Sequence, residues 1–247
     1  MSSRQLSVSS GYTPWVSIDA YDPSAYPSFA VAVDLVVFTV RPPDLHVLMV
    51  RRDDKPAKGK WALPGGFVGI DQDLTEAAQH KLADKTGIEV DTAHLEQLQT
   101  FGRPARDPRM RIVSVSHLAL VADPPEPEHE NARWHRVGSS VLDDLAFDHG
   151  EILDVGIERV RSKLEYTTLA TSFCASEFTI ADLRAVYEAT WGQSLDPANF
   201  HRKVMATEGF VEPTGHTESN GRGRPARSYV RGEAVTLHPP IVRSKGD

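Results

Sequence analysis

The feature that most restricts the possible folds is a turn-and-helix unit between Trp61 and Ile88. Trp61-Ala62-Leu63-Pro64-Gly65-Gly66-Phe67 reads as a loop, because its proline and paired glycines interrupt regular structure. A helix is expected from about Leu74, with Asp73 placed to cap it and Glu76, three residues on, as the reciprocal partner. Gly87 ends that helix. Strand-like runs flank the unit. Phe29 to Val40 is rich in valine and reads as a buried strand; Pro42 and Pro43 stop it, and Leu45 to Val50 reads as its hairpin partner. Further runs follow at Leu95–Arg103, Arg111–Val121 and Ala132–Val137. Asp123 to Asn131, with three prolines and four acidic residues, is an exposed loop.

The chain has 247 residues, enough for one large domain or two smaller ones. After Glu151 the pattern changes: Ile152, Val155, Ile157, Val160 and Leu164 recur at roughly helical spacing. This helix closes the first unit, so the expected division is an irregular leader at 1–28, one domain at 29–164 and a second at 165–247. Net charge is −7, unevenly spread. Residues 1–159 carry 16 basic against 24 acidic side chains, whereas 199–231 carry 6 against 3. An acidic body with a basic C-terminal patch leaves nucleic acid open as a partner. Cys174 is the single cysteine, so an internal disulfide is excluded and a reducing compartment is expected. No apolar run approaches the ~20 residues a bilayer span needs, and the start shows no secretory signal pattern. The expected location is cytoplasmic.

The segment Gly65 to Ile88 resembles the Nudix box, G-x5-E-x7-R-E-U-x-E-E-x-G-U with U aliphatic. Gly66, Leu82, Gly87 and Ile88 fit, and Trp61 to Gly66 precedes the box as in many members. The resemblance covers most of residues 29–165 and implies an αβα sandwich on a mixed sheet, which agrees with the order of strands and helices. Every charged position departs from the pattern. Gln72 replaces the first glutamate and His80 the arginine; Lys81 and Lys85 replace two glutamates, and Asp84 shortens a third. In active members those carboxylates hold divalent cations, commonly Mg²⁺, for attack of water on a diphosphate. Mg²⁺ requires hard anionic oxygens. Lys81 and Lys85 are i and i+4, on one helix face, and would repel a nearby dication by several kcal/mol.

Three readings of the box stand open: a structural relic, a site that binds a nucleotide without cutting it, or hydrolysis through unconventional ligands such as Glu76 and Asp84. The stretch Phe101 to Arg111 packs four arginines, two prolines and an aromatic ring between two strands. Such a loop offers guanidinium forks to a diphosphate, or is simply a rigid turn with exposed arginines. It is similar to the corresponding stretch of Nudix proteins that handle ADP-ribose. By that resemblance Arg52, Phe101, Arg103 and Arg109, with the Gly65–Gly66 turn, are the candidate effector contacts. His117 and the other histidines show no metal-ligand spacing, so no metal site is expected.

From Glu165 the signals are those of a winged helix-turn-helix. Thr179 can cap a helix carrying Ile180, Leu183, Val186, Tyr187 and Trp191 on one stripe, and Gly192 ends it. Pro197 suits the first position of a second helix. There Phe200 and Val204 share one side, while Asn199, Arg202 and Lys203 share another and offer groups for base edges and phosphates. A hairpin follows Gly209, and its tip carries Arg222, Arg224 and Arg227, placed to reach phosphates or the minor groove.

Both halves in this order resemble the Nudix-related transcriptional regulators of NAD metabolism. Ser162 to Thr167, Phe200 to Lys203 and Gly223 to Arg227 carry that likeness. It implies a homodimeric repressor of NAD biosynthesis or salvage genes, bound to palindromic operator DNA, needing no cofactor and released by an ADP-ribose-like effector. The rival readings are an active Nudix hydrolase of ADP-ribose or a related diphosphate, and a non-catalytic scaffold whose basic hairpin binds protein.

Overall fold

A computed structural model describes residues 22–89, 95–218 and 225–243. Its centre is β1 (Ala30–Arg41), a strand buried on both faces. The strand period of two sends Val33, Leu35 and Val37 to one side and Val36 and Phe38 to the other. β1 turns back into β2 (Asp44–Arg51) as an antiparallel hairpin. Two short strands, β3 (Trp61–Ala62) and β4 (Gly65–Phe67), then pair with β2 and β1 respectively. The reading of 61–67 as a loop is therefore corrected. Its backbone is taken up by the sheet on either side of Leu63-Pro64, and Gly65 sits where a Cβ would collide with the Val33 carbonyl and the Asp34 carboxylate.

α1 (Leu74–Thr86) follows, with the Asp73 carboxylate accepting the Thr75 amide at 3.1 Å and Gly87 closing it at φ 71°. The reciprocal capping pair expected here is found instead at a later helix. β5 (Leu95–Phe101) runs antiparallel to β6 (Ile112–Leu120), β6 lies parallel to β1, and β7 (Ala132–Arg136) is antiparallel to β2. The sheet is thus mixed. Ala77, Ala78 and Leu82 of α1 cover the Val33–Leu35 face. α2 (His149–Tyr166) covers the other through Ile152, Val160 and Leu164. A Cβ at Gly156 would lie 2.9 Å from Val36, so glycine is what lets α2 come so close to β1.

Beyond α2, a 3-10 segment at Thr168–Phe173 leads to β8 (Phe178–Thr179), α3 (Ile180–Trp191), α4 (Pro197–Ala206), β9 (Val211–Glu218) and β10 (Ala226–Arg231). β10 lies between β8 and β9 in a small antiparallel sheet. Thr179 caps α3 in a full capping box with Asp182, and Gly192 ends it in the left-handed conformation. Tyr187 joins the two helices, its ring 4.8 Å from Trp191 and 5.2 Å from Phe200. One apolar cluster holds Val36, Phe38 and Leu164 together with Leu183, Val186 and Val204. Side-chain bonds reinforce the junction: Arg161 Nε donates to the Thr190 carbonyl at 3.0 Å, and Trp191 Nε1 donates to the Arg161 carbonyl at 3.2 Å. Residues after β10 return to α2, where the Leu237 and Ile241 amides donate to the carbonyls of Tyr166 and Glu165.

Candidate effector pocket and nucleic-acid face

A pocket opens where β1, β4, the 102–111 loop and the start of α2 meet. Its floor is a buried ion network. Asp34 accepts the Ser114 hydroxyl at 2.6 Å and lies 3.5 Å from Arg106, which donates to the two oxygens of Asp148 at 2.7 and 2.5 Å. Burial alone would lower the Arg106 pKa, but the Asp148 and Asp34 carboxylates outweigh it and raise it. His149 Nδ1 accepts the Leu63 amide at 2.9 Å, and its Nε2 lies 3.6 Å from Asp34. Full burial pushes the His149 pKa below the ordinary value, so the ring is neutral with its proton on Nε2.

The walls are aromatic and cationic. Arg52 lies 4.8 Å from the Phe147 ring centre, and Arg109 lies 5.1 Å from Phe67 and 5.7 Å from Phe147. Phe147 is held at φ 55°, a left-handed conformation that a phenylalanine adopts only under constraint from its surroundings. Arg109 is paired with Asp107 at 2.6 Å, whereas Arg52 has no carboxylate within ion-pair distance among the described residues. Burial, and then the charge of Arg109, lower the Arg52 pKa. Asp107, Asp54 and Asp34 offset this only in part, and Arg52 Nε donates to the Pro56 carbonyl at 3.0 Å, so the guanidinium is held in place where an anion would be welcome.

Of the expected effector contacts, Arg52, Gly65, Gly66 and Arg109 line this pocket. Phe101 and Arg103 do not. Phe101 is buried in the core cluster with Leu98 and Ile152. Arg103 is exposed and pairs with Glu151 at 2.8 Å. Arg106, from the same arginine-rich loop, is the one that enters the floor. Asp34, Phe147, Asp148 and His149 were also not anticipated. Asp34 alone carried a signal, as the one charge within Phe29–Val40.

On α1, Gln72 Oε1 accepts the Gly69 amide at 3.0 Å, and its Nε2 lies 3.1 Å from His80 Nδ1. An amide–imidazole pair thus stands where the box pattern has glutamate and arginine. The Lys81 stem lies against Gly66, at 3.2 Å from where a Cβ would be. Lys85 lines a second cavity with Arg51, Asp53, Asp54 and Asn131, and this cavity shares Arg52, Leu63 and Gly65 with the first. Glu76 and Asp84 are exposed. Among the described residues no three His, Cys, Asp or Glu side chains are grouped as a metal would require. With ammonium groups at 81 and 85, this donor set does not fit the divalent cation that a Nudix box implies.

At the other end of the molecule, Phe200 and Val204 bury one side of α4, and Asn199 and Arg202 are exposed on another. Arg202 donates to Asn199 Oδ1 at 2.7 Å, so the two side chains hold each other. Lys203 is half-buried on the same helix, and Arg227 is exposed on β10. The Tyr229 hydroxyl reaches Met205 Sδ at 3.9 Å, tying the hairpin to α4. Arg222 and Arg224, like leader residues 1–21, lie outside the described residues.

Comparison with known proteins agrees at both ends. The NUDIX domain model matches residues 29–155, and the NrtR DNA-binding winged helix domain model matches 171–230. Over 215 residues the chain is 38% identical to the ADPR-responsive transcriptional repressor NtrR of Acinetobacter baylyi, a match covering 85% of this chain and 84% of that protein. This chain belongs to the NrtR family of Nudix-related transcriptional regulators. NrtR of Shewanella oneidensis, solved with a 27-mer DNA, matches with TM-score 0.70 and 30% identity over 81% of this chain and 93% of that one. A more partial relative is the ADP-ribose pyrophosphatase of Methanocaldococcus jannaschii, 31% identical over 125 residues, half of this chain and 70% of that protein. The NrtR architecture, a Nudix sandwich followed by a winged helix, is the one expected from the sequence. Among the described residues of this NrtR-family chain, no helix is long and apolar enough to cross a membrane.

Proposed function

We propose that this protein is a cytoplasmic transcriptional repressor of NAD biosynthesis or salvage genes. It binds a palindromic operator as a homodimer and leaves it when an ADP-ribose-like nucleotide fills the Nudix pocket, without cleaving that nucleotide. One observation carries the reading: the helix whose first residues form the pocket wall, α2, is bonded near its other end to α3 of the helix-turn-helix. The likeness to an ADPR-responsive repressor, which extends over both halves, supports it. Asn199, Arg202 and Lys203 on α4 are the base- and phosphate-reading set, with Arg222, Arg224 and Arg227 as wing contacts. Two such helices in adjacent major grooves place the half-sites about one turn apart. A nucleotide that prefers the DNA-incompetent arrangement a hundredfold supplies about 2.7 kcal/mol of coupling.

A gel-shift assay on the DNA upstream of the protein's own gene tests this. A retarded band that disappears with ADP-ribose is expected. Equal retardation of scrambled DNA, or a band indifferent to saturating ADP-ribose, defeats the reading. The archaeal pyrophosphatase relative favours a second reading, an ADP-ribose hydrolase with an accessory domain. Incubation with ADP-ribose and Mg²⁺ or Mn²⁺ decides between them: no AMP is expected, and turnover abolished by Asp84→Ala would establish the hydrolase.

A further inference from the structure

The misfit between the box helix and a metal ion has a positive side. We infer that Lys81 and Lys85 stand in for the metal, two ammonium groups that neutralise the diphosphate of a nucleotide lying across Gly65–Gly66. This deepens the effector reading and rests on it only for the identity of the nucleotide.

Three observations converge on that strand. The two cavities share Arg52, Leu63 and Gly65 in their linings, so they lie side by side along β4. Lys85 lines the second cavity, and the Lys81 stem runs beside Gly66, which lines the first. The i, i+4 spacing puts the two lysines side by side on α1, about 5–6 Å apart at Cβ.

Charge matching separates these cations from the rest of the pocket. Arg106 is satisfied by Asp34 and Asp148, and Arg109 by Asp107. Asp53 accepts from Asn131 at 3.1 Å, and Asp54 acts on Arg52 through space without pairing. Lys81, Lys85 and Arg52 have no carboxylate within ion-pair distance among the described residues. The doubly esterified diphosphate of an ADP-ribose-like nucleotide carries about two negative charges, enough to match the two ammonium groups, and lysine binds phosphate as a point charge without demanding a fixed coordination geometry. A Nudix enzyme needs carboxylates here because it uses a dication. A domain that only binds reaches neutrality with side chains already in place.

Isothermal titration of the full chain in EDTA, with ADP-ribose, inorganic pyrophosphate and adenosine as probes, tests this. Wild-type protein binds ADP-ribose and pyrophosphate without a metal, and added Mg²⁺ does not tighten either. Lys81→Met and Lys85→Met each weaken both about tenfold and together about a hundredfold, whereas the arginine variants keep affinity. Lys58→Met, on an exposed loop, changes nothing, and adenosine does not distinguish the proteins. The inference is overturned if Mg²⁺ is required, or if the methionine variants bind both phosphate probes as wild type does. ADP-ribose binding that ignores the lysines sinks the inference and leaves the effector reading intact. Lysine-dependent pyrophosphate binding without ADP-ribose binding does the reverse, and failure of both ligands to bind sinks both.

Discussion

The pocket floor and the outer face of α4 both rest on an arginine, yet burial gives the two arginines opposite jobs. The Arg106 side chain is 5% exposed and bonded to a carboxylate that also belongs to the start of α2. Arg202 is exposed and held by one neutral side chain a turn away. Packing at α4 is done from behind by Phe200 and Val204, so its polar face is not required for the fold. In the pocket, the groups that would meet a ligand are also the groups that hold β1, the arginine loop and α2 together. Function and stability are separable in one region and entangled in the other.

The sharpest way to break this contrast is Arg106→Ala. It leaves Asp34 and Asp148 buried without a counter-charge, and a loss of about 3–5 kcal/mol is expected in denaturant unfolding. A midpoint equal to that of wild type would refute the entanglement. Arg202→Ala should leave unfolding unchanged and erode operator preference over scrambled DNA by about 1–3 kcal/mol, read by competition binding. Arg52→Ala refines the comparison, because Arg52 lies in the pocket but lacks a carboxylate partner. Its loss should weaken nucleotide binding about tenfold with no fall in stability, since burial and the Arg109 charge already disfavour the cation.

The smallest effect is in pH. The folded pKa of His149 lies below its unfolded value near 6.5, so the unfolded chain binds the proton first as the medium acidifies. Stability from the neutral ring is fully present above pH ~6.5 and is lost as pH falls from there towards the folded pKa, by at most about 1.4 kcal/mol per pH unit. His117 and His135, also lowered by burial, act in the same direction. Unfolding midpoints at pH 7.5 and 5.5 should therefore lie closer together in His149→Asn than in wild type.

The fold was more legible than the pocket because local rules write most of it. Valine runs, prolines at 42 and 43, the cap at Asp73 and the stops at Gly87 and Gly192 act over a few residues. β4 escaped because three residues become a strand only when β1 lies beside them. The pocket floor joins Asp34, Arg106 and Asp148, which are far apart in sequence, so no spacing rule could group them. Phe101, expected at the pocket by resemblance alone, faces the core instead, and its strand is irregular just before it. β5 shifts register between Gln97 and Gln99, and such an irregularity resets which face each later residue meets. Arg103 lies beyond the end of β5, where strand alternation no longer decides direction. The lysines at 81 and 85 could be read from the sequence as misplaced, but only the second cavity gives Lys85 something to face.

α2 has 18 residues, so at 1.5 Å per residue it is a rod of about 27 Å. A rod magnifies rotation: tilting it by about 4° at Asp148 sweeps its far end through nearly 2 Å. Hydrogen bonds to base edges tolerate only a few tenths of an ångström, so a small pivot beneath Phe147 is already large on the scale at which DNA is read.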